Sequence, residues 1–507
     1  MDSEDAAPEA DAAAHSPVDD ATDVSTGDDA LDDPTADATD AADRHGTLDR
    51  RTLLALAASG VGGLAGCGGG SGDGTTTPPD DTSTTTVATT ATTTAPAATS
   101  TTTPPTTEPT TTSTTTRPTT VSYDADPVIA PSSDVSPGAG FASADWLAEP
   151  TPAVLPVTTL DAAGEGSLRW ALERSGPRIV VFEVGGVIDL GTEPITATDG
   201  RLYVAGQTAP SPGVTVIRGK VVVDADDAVV QHLRVRPGGQ VSGPTDALSV
   251  GTSASNVIFD HCTATWGSDE VMSTGGSTEN HTVTLTNNVI AEAIERFDHA
   301  KGSLVMNDAR RVLHAGNLLA DNKARNPRLK GGTTTVVANN WATHYEAAIT
   351  MGGDSDTRSR ASVVGNRWER GPDKRIIERA SALKPLVYTA DNLLVDIDAP
   401  VVGEGFEVAT ERPVWPSGFE PMPAEDVRAH HLQTVGARPA DRTPHDERVL
   451  QNAREGTGSF IGSEDAVGGY PDLGSTERAL DPPAPGQGLG SWLAQHTRAV
   501  ELGEQPP

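Results

Sequence analysis

The chain has 507 residues, with 71 acidic and 36 basic side chains and a formal net charge of −35. This acidity argues against nucleic acid as a partner, because the phosphate backbone would be repelled at long range. Two cysteines, Cys67 and Cys262, are too few for a disulfide framework.

The N-terminal part of the chain predicts a disordered arm followed by a targeting segment. Residues 1–49 are strongly acidic and carry too few large aliphatic side chains to fold. Residues 50–67 open with Arg50-Arg51, which resembles a twin-arginine export signal, and their apolar run is too short to span a bilayer. They end in Leu64-Ala65-Gly66-Cys67, which resembles a lipobox. We expect lipidation of Cys67, with a plain signal cleaved nearby as the alternative.

Residues 68–125 are glycine-rich and then rich in threonine and proline, a composition typical of an extended stalk that is open to O-glycosylation. We therefore expect an exported monomer at the outer face of the cell membrane, attached only through its lipid, or a secreted one. The acidity of the arm and of the later residues resembles that of proteins from salt-loving archaea, whose surfaces stay hydrated in brine.

Residues 131–400 contain short β-rich segments after one predicted helix at Ser167–Arg174, with Ser167 as its cap. Segments ending on a polar residue recur every 23 to 29 residues, at His232, His261, Asn288, Asn317, Asn340, Asn366 and Asn392. This period predicts a solenoid whose coils of three short strands stack on their neighbours. Asparagines at equivalent turns are expected to form a ladder of amide hydrogen bonds.

We predict an all-β fold, a right-handed parallel β-helix. Residues 401–507 are expected to form a C-terminal extension with short helices that pack on the solenoid. His232, His261 and Asn288 are expected to cap turns rather than bind metal, and Cys262 to be a buried small hydrophobe.

A basic stretch stands out in this acidic chain. Residues 296–330 hold eight basic and three acidic side chains. A local positive field concentrates negative ligands, so the stretch predicts a site for an anion. The alternative is a set of surface ion pairs.

Carboxylates precede this stretch at a spacing close to one coil. Asp246 and Asp269 lie 23 residues apart, and Glu270 follows the second. On adjacent coils they would repel one another unless a cation or a proton lay between them. Hard carboxylate oxygens favour calcium. The alternative is a solvated acidic edge.

Six motifs in chain order resemble those of the pectate lyases among the parallel β-helix polysaccharide lyases. They are Gly206-Gln207-Thr208-Ala209-Pro210, Asp246-Ala247-Leu248, Asp260-His261-Cys262, Trp266-Gly267-Ser268-Asp269-Glu270, His299-x-Lys301-Gly302 and Arg325-x-Pro327-Arg328-x-Lys330. The resemblance spans residues 157–400 and continues in the tail, for example at Gly468-Gly469-Tyr470-Pro471.

This resemblance implies calcium-assisted β-elimination of pectate or a related polyuronate, which makes an acidic polysaccharide the partner. Trp266, Trp341 and Tyr345 are then expected either to stack on sugar rings or to pack in the core. The implied roles are calcium ligands at Asp246, Asp269 and Glu270, catalysis by Lys301 and by Arg325 as the base, and substrate binding by Lys330, Arg328 and His299. Two positions depart from the family pattern. Pro244 stands where many relatives have a further aspartate, and Lys330 where many have arginine.

Three alternatives stay open from the sequence. The alignment does not decide whether Asp269 or Glu270 binds calcium. The basic groove could belong to a non-catalytic surface module that binds acidic polysaccharide. A hydrolase is the third possibility, although hydrolases of this fold use clustered aspartates rather than arginine and lysine.

Overall fold

The computed structural model describes residues 140–148, 152–275, 281–297, 299–484 and 487–507. The predictions for the acidic arm, Cys67 and the stalk lie outside these residues. From Arg178–Phe182 to Ile377–Arg379, successive strands enter three sheets in rotation, so each of these coils contributes one strand to each sheet. Strands of neighbouring coils pair in parallel, which confirms the predicted parallel β-helix with three-strand coils.

The strands are short, most of them three to five residues long. Those of the first sheet are Ala153–Val157, Arg178–Phe182, Leu202–Ala205, Ala228–Gln231, Val257–Asp260, Val283–Thr286, Val312–Ala315, Thr334–Ala338, Arg360–Val364, Leu386–Ala390 and Glu407–Val408. Those of the second sheet are Ile195–Ala197, Val221–Val223, Leu248–Val250, Glu270–Thr274, Lys301–Val305, Arg328–Leu329, Ile349–Met351 and Ile377–Arg379. Those of the third sheet are Val184–Asp189, Val214–Ile217, Arg234–Arg236, Thr263–Thr265, Val289–Ala291, Leu318–Ala320, Trp341–Thr343, Arg367–Glu369 and Leu393–Val395, with Thr476–Glu477 added antiparallel at one edge.

An asparagine ladder runs along the corner between the first and third sheets. The side-chain amide of each asparagine donates to the side-chain oxygen of the next, at 2.9 to 3.1 Å, through Asn288, Asn317, Asn340, Asn366 and Asn392. These bonds also satisfy backbone groups of the corner, because each asparagine oxygen accepts from the backbone N–H of the asparagine one coil earlier. The predicted ladder is confirmed.

The two histidines that precede the asparagines in the repeat occupy a different position of the corner. His232 and His261 take left-handed backbone angles, φ 56° and 48°, as Asn287 does at φ 57° one coil later. Cys262 therefore occupies the ladder position, and its backbone N–H donates to Asn288 Oδ1 at 2.8 Å. The asparagine ladder begins at Asn288, and the two histidines are the corner residues that turn the chain.

Aliphatic side chains fill the inside of the coils, and the helix Leu168–Leu172 packs against the first of them. Ser167 caps this helix as predicted, accepting from the backbone N–H of Trp170 at 3.2 Å. The helix ends before the predicted Arg174. Trp266, Trp341 and Tyr345 are buried, so they are core residues rather than sugar-binding ones. Cys262 is fully buried as predicted.

Three further helices, Val427–Thr434, Pro444–Glu455 and Leu489–Leu502, lie in the C-terminal part of the chain. The first two pack on the third sheet and the last packs on the first sheet. Among the described residues, none of the helices is long and apolar enough to cross a bilayer.

Asp446 links the helix Pro444–Glu455 to the third sheet. It completes a capping box with Thr443 and accepts from Arg234 at 2.7 Å and Arg236 at 2.6 Å. Burial would raise the pKa of Asp446, but the two guanidinium groups outweigh it and the net shift is downward. The helix is thus fixed to the coils by a buried charge network.

Candidate active site

Most of the residues singled out in the sequence meet at the N-terminal edge of the second sheet. There each coil enters the sheet from a loop that leaves the third sheet. Glu270 and Lys301 open neighbouring strands and lie in register, and Lys301 also bridges to Ala324, which precedes Arg325. Adjacent strands are about 4.8 Å apart. Residues from coils distant in sequence therefore line one edge.

Asp246, Asp269 and Glu270 form a cluster in which potential ligand oxygens lie within 4.8 Å of one another. Asp246 accepts from the backbone N–H of Glu270 at 3.1 Å and from the hydroxyl of Ser273. Burial, and then the charge of Glu270, raises the pKa of Asp246 to about 6. Burial also raises the pKa of Asp269 and that of Glu270. Crowded carboxylates of this kind fit a hard divalent cation, which would relieve their repulsion.

Basic groups contact this cluster from two coils. The guanidinium of Arg325 donates to Glu270, and His299 Nε2 lies 3.3 Å from Asp269 Oδ1. Arg325 has a left-handed backbone, φ 60°. The structure therefore brings the predicted base and both ambiguous carboxylates, Asp269 and Glu270, into one constellation.

Lys220 joins the cluster from the preceding coil, just before the strand Val221–Val223. Its charge lowers the pKa of Asp246 and of Asp269 against the larger upward effect of burial. Lys220 lies in no motif and is not among the residues predicted from the sequence. Only the alignment of coils in the second sheet reveals it.

Arg328 and Lys330 share one acid. Arg328 Nη2 lies 3.3 Å and Lys330 Nζ 3.5 Å from Asp354 Oδ2. Asp354 follows the strand Ile349–Met351, one coil further on, and is not among the residues predicted from the sequence. An incoming carboxylate would compete with Asp354 for these two cations.

A second cluster, His232, His261 and Glu501, also brings potential metal ligands within 4.8 Å of one another. The backbone N–H of Arg438 donates to His232 Nδ1 at 3.2 Å, so Nδ1 carries a lone pair. The neutral ring then has its proton on Nε2, which faces Glu501 Oε1 at 3.1 Å. Because that nitrogen is a donor, it has no lone pair for a metal, which favours the predicted structural role of His232.

His261 carries the balancing charge in this second cluster. Its Nδ1 lies 2.9 Å from Asp260 Oδ2 and 3.5 Å from Glu501 Oε1. Burial lowers the pKa of His261, but the charges of Asp260 and Glu501 outweigh it and raise the pKa to about 9. The cluster is therefore a buried ion network that holds the helix Leu489–Leu502 to the corner of the coils.

The chain is similar in sequence to several fungal proteins, all described as probable pectate lyase C. It is 34% identical over 334 residues to the probable pectate lyase C of Aspergillus flavus, a match that covers 62% of this chain and 77% of that protein. It is 32% identical over 362 residues to the probable pectate lyase C of Neosartorya fischeri, covering 68% and 83% respectively. No protein-family model matches the chain.

Solved structures give weaker matches. The cedar-pollen allergen Jun a 1 aligns with a TM-score of 0.42 and 16% identity over 55% of this chain and 87% of that one. A pectate lyase from Bacillus sp. N165, solved with trigalacturonate, aligns with a TM-score of 0.41 and 11% identity over 56% of this chain and 94% of that one. Because these TM-scores are low, only the sequence relatives are used to assign a family.

Proposed function

Because the chain belongs to the pectate lyase family, we propose that it cleaves pectate or a related polyuronate by calcium-assisted β-elimination. The family makes it a polysaccharide lyase. One observation supports the proposed roles of calcium and of a catalytic base. Three carboxylates with ligand oxygens within 4.8 Å of one another lie beside the guanidinium of Arg325 on one sheet edge. A cation held by these carboxylates would lie beside the basic group, at the same point of a substrate.

Calcium would be held by Asp246, Asp269 and Glu270, whose hard oxygens suit it. When bound, it supplies positive charge that neutralises a uronate carboxylate and acidifies the neighbouring C5 hydrogen. Pro244 offers no carboxylate to this set. Further ligands would therefore come from water or from the substrate.

Arg325 is the group we assign to the C5 proton. Its guanidinium donates to Glu270, so substrate binding must separate the two before Arg325 can reach C5. A protonated guanidinium has no lone pair, so Arg325 accepts the C5 proton in its neutral form, after it has given one proton to solvent. The C5–H electron pair then forms the C4=C5 double bond, and the C4–O bond breaks with its electron pair leaving on the C4 oxygen. Solvent protonates that oxygen, and Arg325 ends the step as the guanidinium.

The remaining cations would hold the substrate. Lys301 lies in register with Glu270, where its ammonium stabilises charge that develops on the substrate carboxylate. Arg328 and Lys330 would exchange Asp354 for a second uronate carboxylate. His299, held at Asp269, would border the same site. We further infer export and lipid anchoring at Cys67, supported by the lipobox-like sequence.

The test uses polygalacturonate with the full chain, with and without a chelator. The unsaturated product end absorbs in the ultraviolet, which separates a lyase from a hydrolase. Arg325→Ala should lower turnover by about 10²- to 10⁴-fold, the range for a lost general base, with a small change in substrate affinity. Arg310→Ala is the matched control, because Arg310 lies in the same basic stretch and is exposed.

The other outcomes are distinct. New reducing ends without unsaturated product would establish a hydrolase. Binding of the polymer with no cleavage under any calcium or salt condition would establish a binding module. Full turnover of Arg325→Ala would remove Arg325 from the proposed role while leaving the lyase in place.

A further inference from the structure

Phe297 is an exposed aromatic side chain beside the candidate active site. Among the described residues the large apolar side chains that are exposed are Phe297 at 39%, Leu383 at 43% and Val408 at 63%. Phe297 is the aromatic member of this set. By contrast, Trp266 and Trp341, the aromatic residues that the sequence suggested for sugar binding, are fully buried.

The loop that carries Phe297 is tied to the carboxylate cluster. Phe297 lies two residues before His299, and its carbonyl oxygen faces His299 Nδ1 at 2.9 Å. The other ring nitrogen of His299 lies 3.3 Å from Asp269. One histidine therefore connects the backbone of Phe297 to a proposed calcium ligand, which places the ring at the rim of the site.

The position of the ring is fixed from both sides of the loop. The backbone of Phe297 is left-handed, φ 55°, a conformation that is unfavourable for a bulky residue. The Arg296 guanidinium lies 4.7 Å from the centre of the Phe297 ring. Further back, Glu295 donates its backbone N–H to the carbonyl of Ile461 at 2.7 Å. The Phe297 side chain is 39% exposed, so part of the ring packs on the protein while the rest stays open to a ligand.

We propose that Phe297 is a sugar-stacking residue at the rim of the cleft, on which the apolar face of a uronide ring lies. This inference rests on the proposed function for the identity of the polymer. A pyranose ring presents aliphatic C–H groups on one face, and an aromatic ring buries such a face without bringing in any charge. The Arg296 guanidinium on the ring leaves a cation beside the same sugar for its carboxylate.

The physical value of such a contact follows from the charge of the chain. The sequence has 71 acidic against 36 basic side chains and stays acidic from Cys67 onward, so the protein repels an acidic polymer beyond its local basic patch. Salt screens that repulsion, but it also weakens the ion pairs of Arg328 and Lys330 with substrate carboxylates. Stacking on Phe297 is insensitive to salt, so it would sustain affinity in brine.

The experiment measures kcat and KM on polygalacturonate for Phe297→Ala, Phe297→Leu and Phe297→Tyr. We expect Phe297→Ala and Phe297→Leu to raise KM about five- to tenfold, with kcat within about twofold of wild type, since one aromatic face is lost. Phe297→Tyr keeps the ring and should retain the wild-type KM. The increase should persist at about 1 M salt, where charges are screened beyond about 3 Å.

Leu383→Ala is the matched control, because Leu383 is similarly exposed but follows the strand Ile377–Arg379, three strands further along the second sheet. Its KM should equal that of wild type. Equal KM values for Phe297→Ala and Leu383→Ala would overturn the inference. A wild-type KM for Phe297→Leu would do the same, since apolar bulk would then suffice without a ring.

Retention on a gel that contains polygalacturonate separates this inference from the proposed function. If wild type yields no unsaturated product but Phe297→Ala is retained less than Leu383→Ala, the lyase mechanism falls and sugar stacking stands. If product forms normally but retention and KM do not depend on the ring, sugar stacking falls and the lyase mechanism stands.

Discussion

Wild type should lose stability as the pH rises into the alkaline range, and replacing His261 by asparagine should abolish that loss. His261 lies between Asp260 and Glu501, and its pKa is raised to about 9 from the ordinary 6.5. In the unfolded chain it loses its proton near 6.5, whereas in the folded chain it keeps it. The stabilisation is therefore complete below pH 6.5 and is lost as pH rises through about 9.

The magnitude follows from the size of this shift. Each unit of pKa difference is worth about 1.4 kcal/mol, so the full contribution is about 3 kcal/mol. Between pH 6.5 and about 8.5, wild type should lose about 2 to 3 kcal/mol of unfolding free energy. The lowered pKa of His232 acts only on the acid side of this window. Burial raises the pKa of the Cys262 thiol from 9.0 to about 12, so its contribution begins above the window.

Asparagine is the appropriate replacement because the fold already uses it at this corner. Asn287 and Asn339 take the same left-handed conformation in later coils, at φ 57° and 51°. His261→Asn thus keeps the turn and removes the titrating group. Leaving Glu501 and Asp260 without their cation will destabilise the variant at every pH, so the diagnostic quantity is the pH slope.

The assay is urea unfolding of the full chain, followed by circular dichroism at constant ionic strength and several pH values across the window. Wild type should lose stability steadily with pH, and His261→Asn should be nearly flat. His314→Asn is the control, since burial lowers the pKa of His314 to about 4, well outside the window. Equal slopes for wild type and His261→Asn would refute the reasoning.

Three further predictions concern the metal, the ladder and the anchor. Asp246→Asn should lower calcium affinity about 10- to 100-fold in direct titration calorimetry, because one of three charged ligands is lost; unchanged affinity would contradict the calcium site. Asn317→Ala should destabilise the fold by about 2 to 4 kcal/mol in thermal melting, since Asn288, Asn340 and the Leu285 carbonyl all lose a partner. A loss below about 1 kcal/mol would show that water replaces the ladder. Cys67→Ser should release the protein from the cell surface into the medium, and unchanged partitioning into detergent would exclude the lipid anchor.

The fold was predictable because similar residues recur once in every coil of a solenoid, so its period is visible in the sequence. Each coil needs one corner between the first and third sheets, and the polar residues from His232 to Asn392 marked those corners. The exact register was not predictable at the first two coils. A polar residue at a corner suits either the left-handed turn or the ladder position that follows it. In this coil His261 takes the left-handed turn and Cys262 takes the ladder position, so neither position holds an asparagine.

Residues of the candidate site were predictable where they fall in motifs, and their proximity was predictable where the motifs are about one coil apart. Asp246 and Asp269 are spaced by about one coil, so their proximity followed from the period. Lys220 and Asp354 join the site through single positions in other coils, which no local pattern identifies. The exposure of Phe297 depends on what packs around it, a tertiary property that its sequence neighbours do not reveal.

The buried link between Asp446 and Arg234 has a consequence for the timing of folding. Asp446 comes 212 residues after Arg234. At about 5 to 20 residues per second, a ribosome needs roughly 10 to 40 s to span that interval. Until then the two guanidinium groups of Arg234 and Arg236 must remain hydrated, so the third sheet cannot acquire its covering helix early. Contacts of such long range slow folding, so the third sheet is covered only after residue 446 has been made.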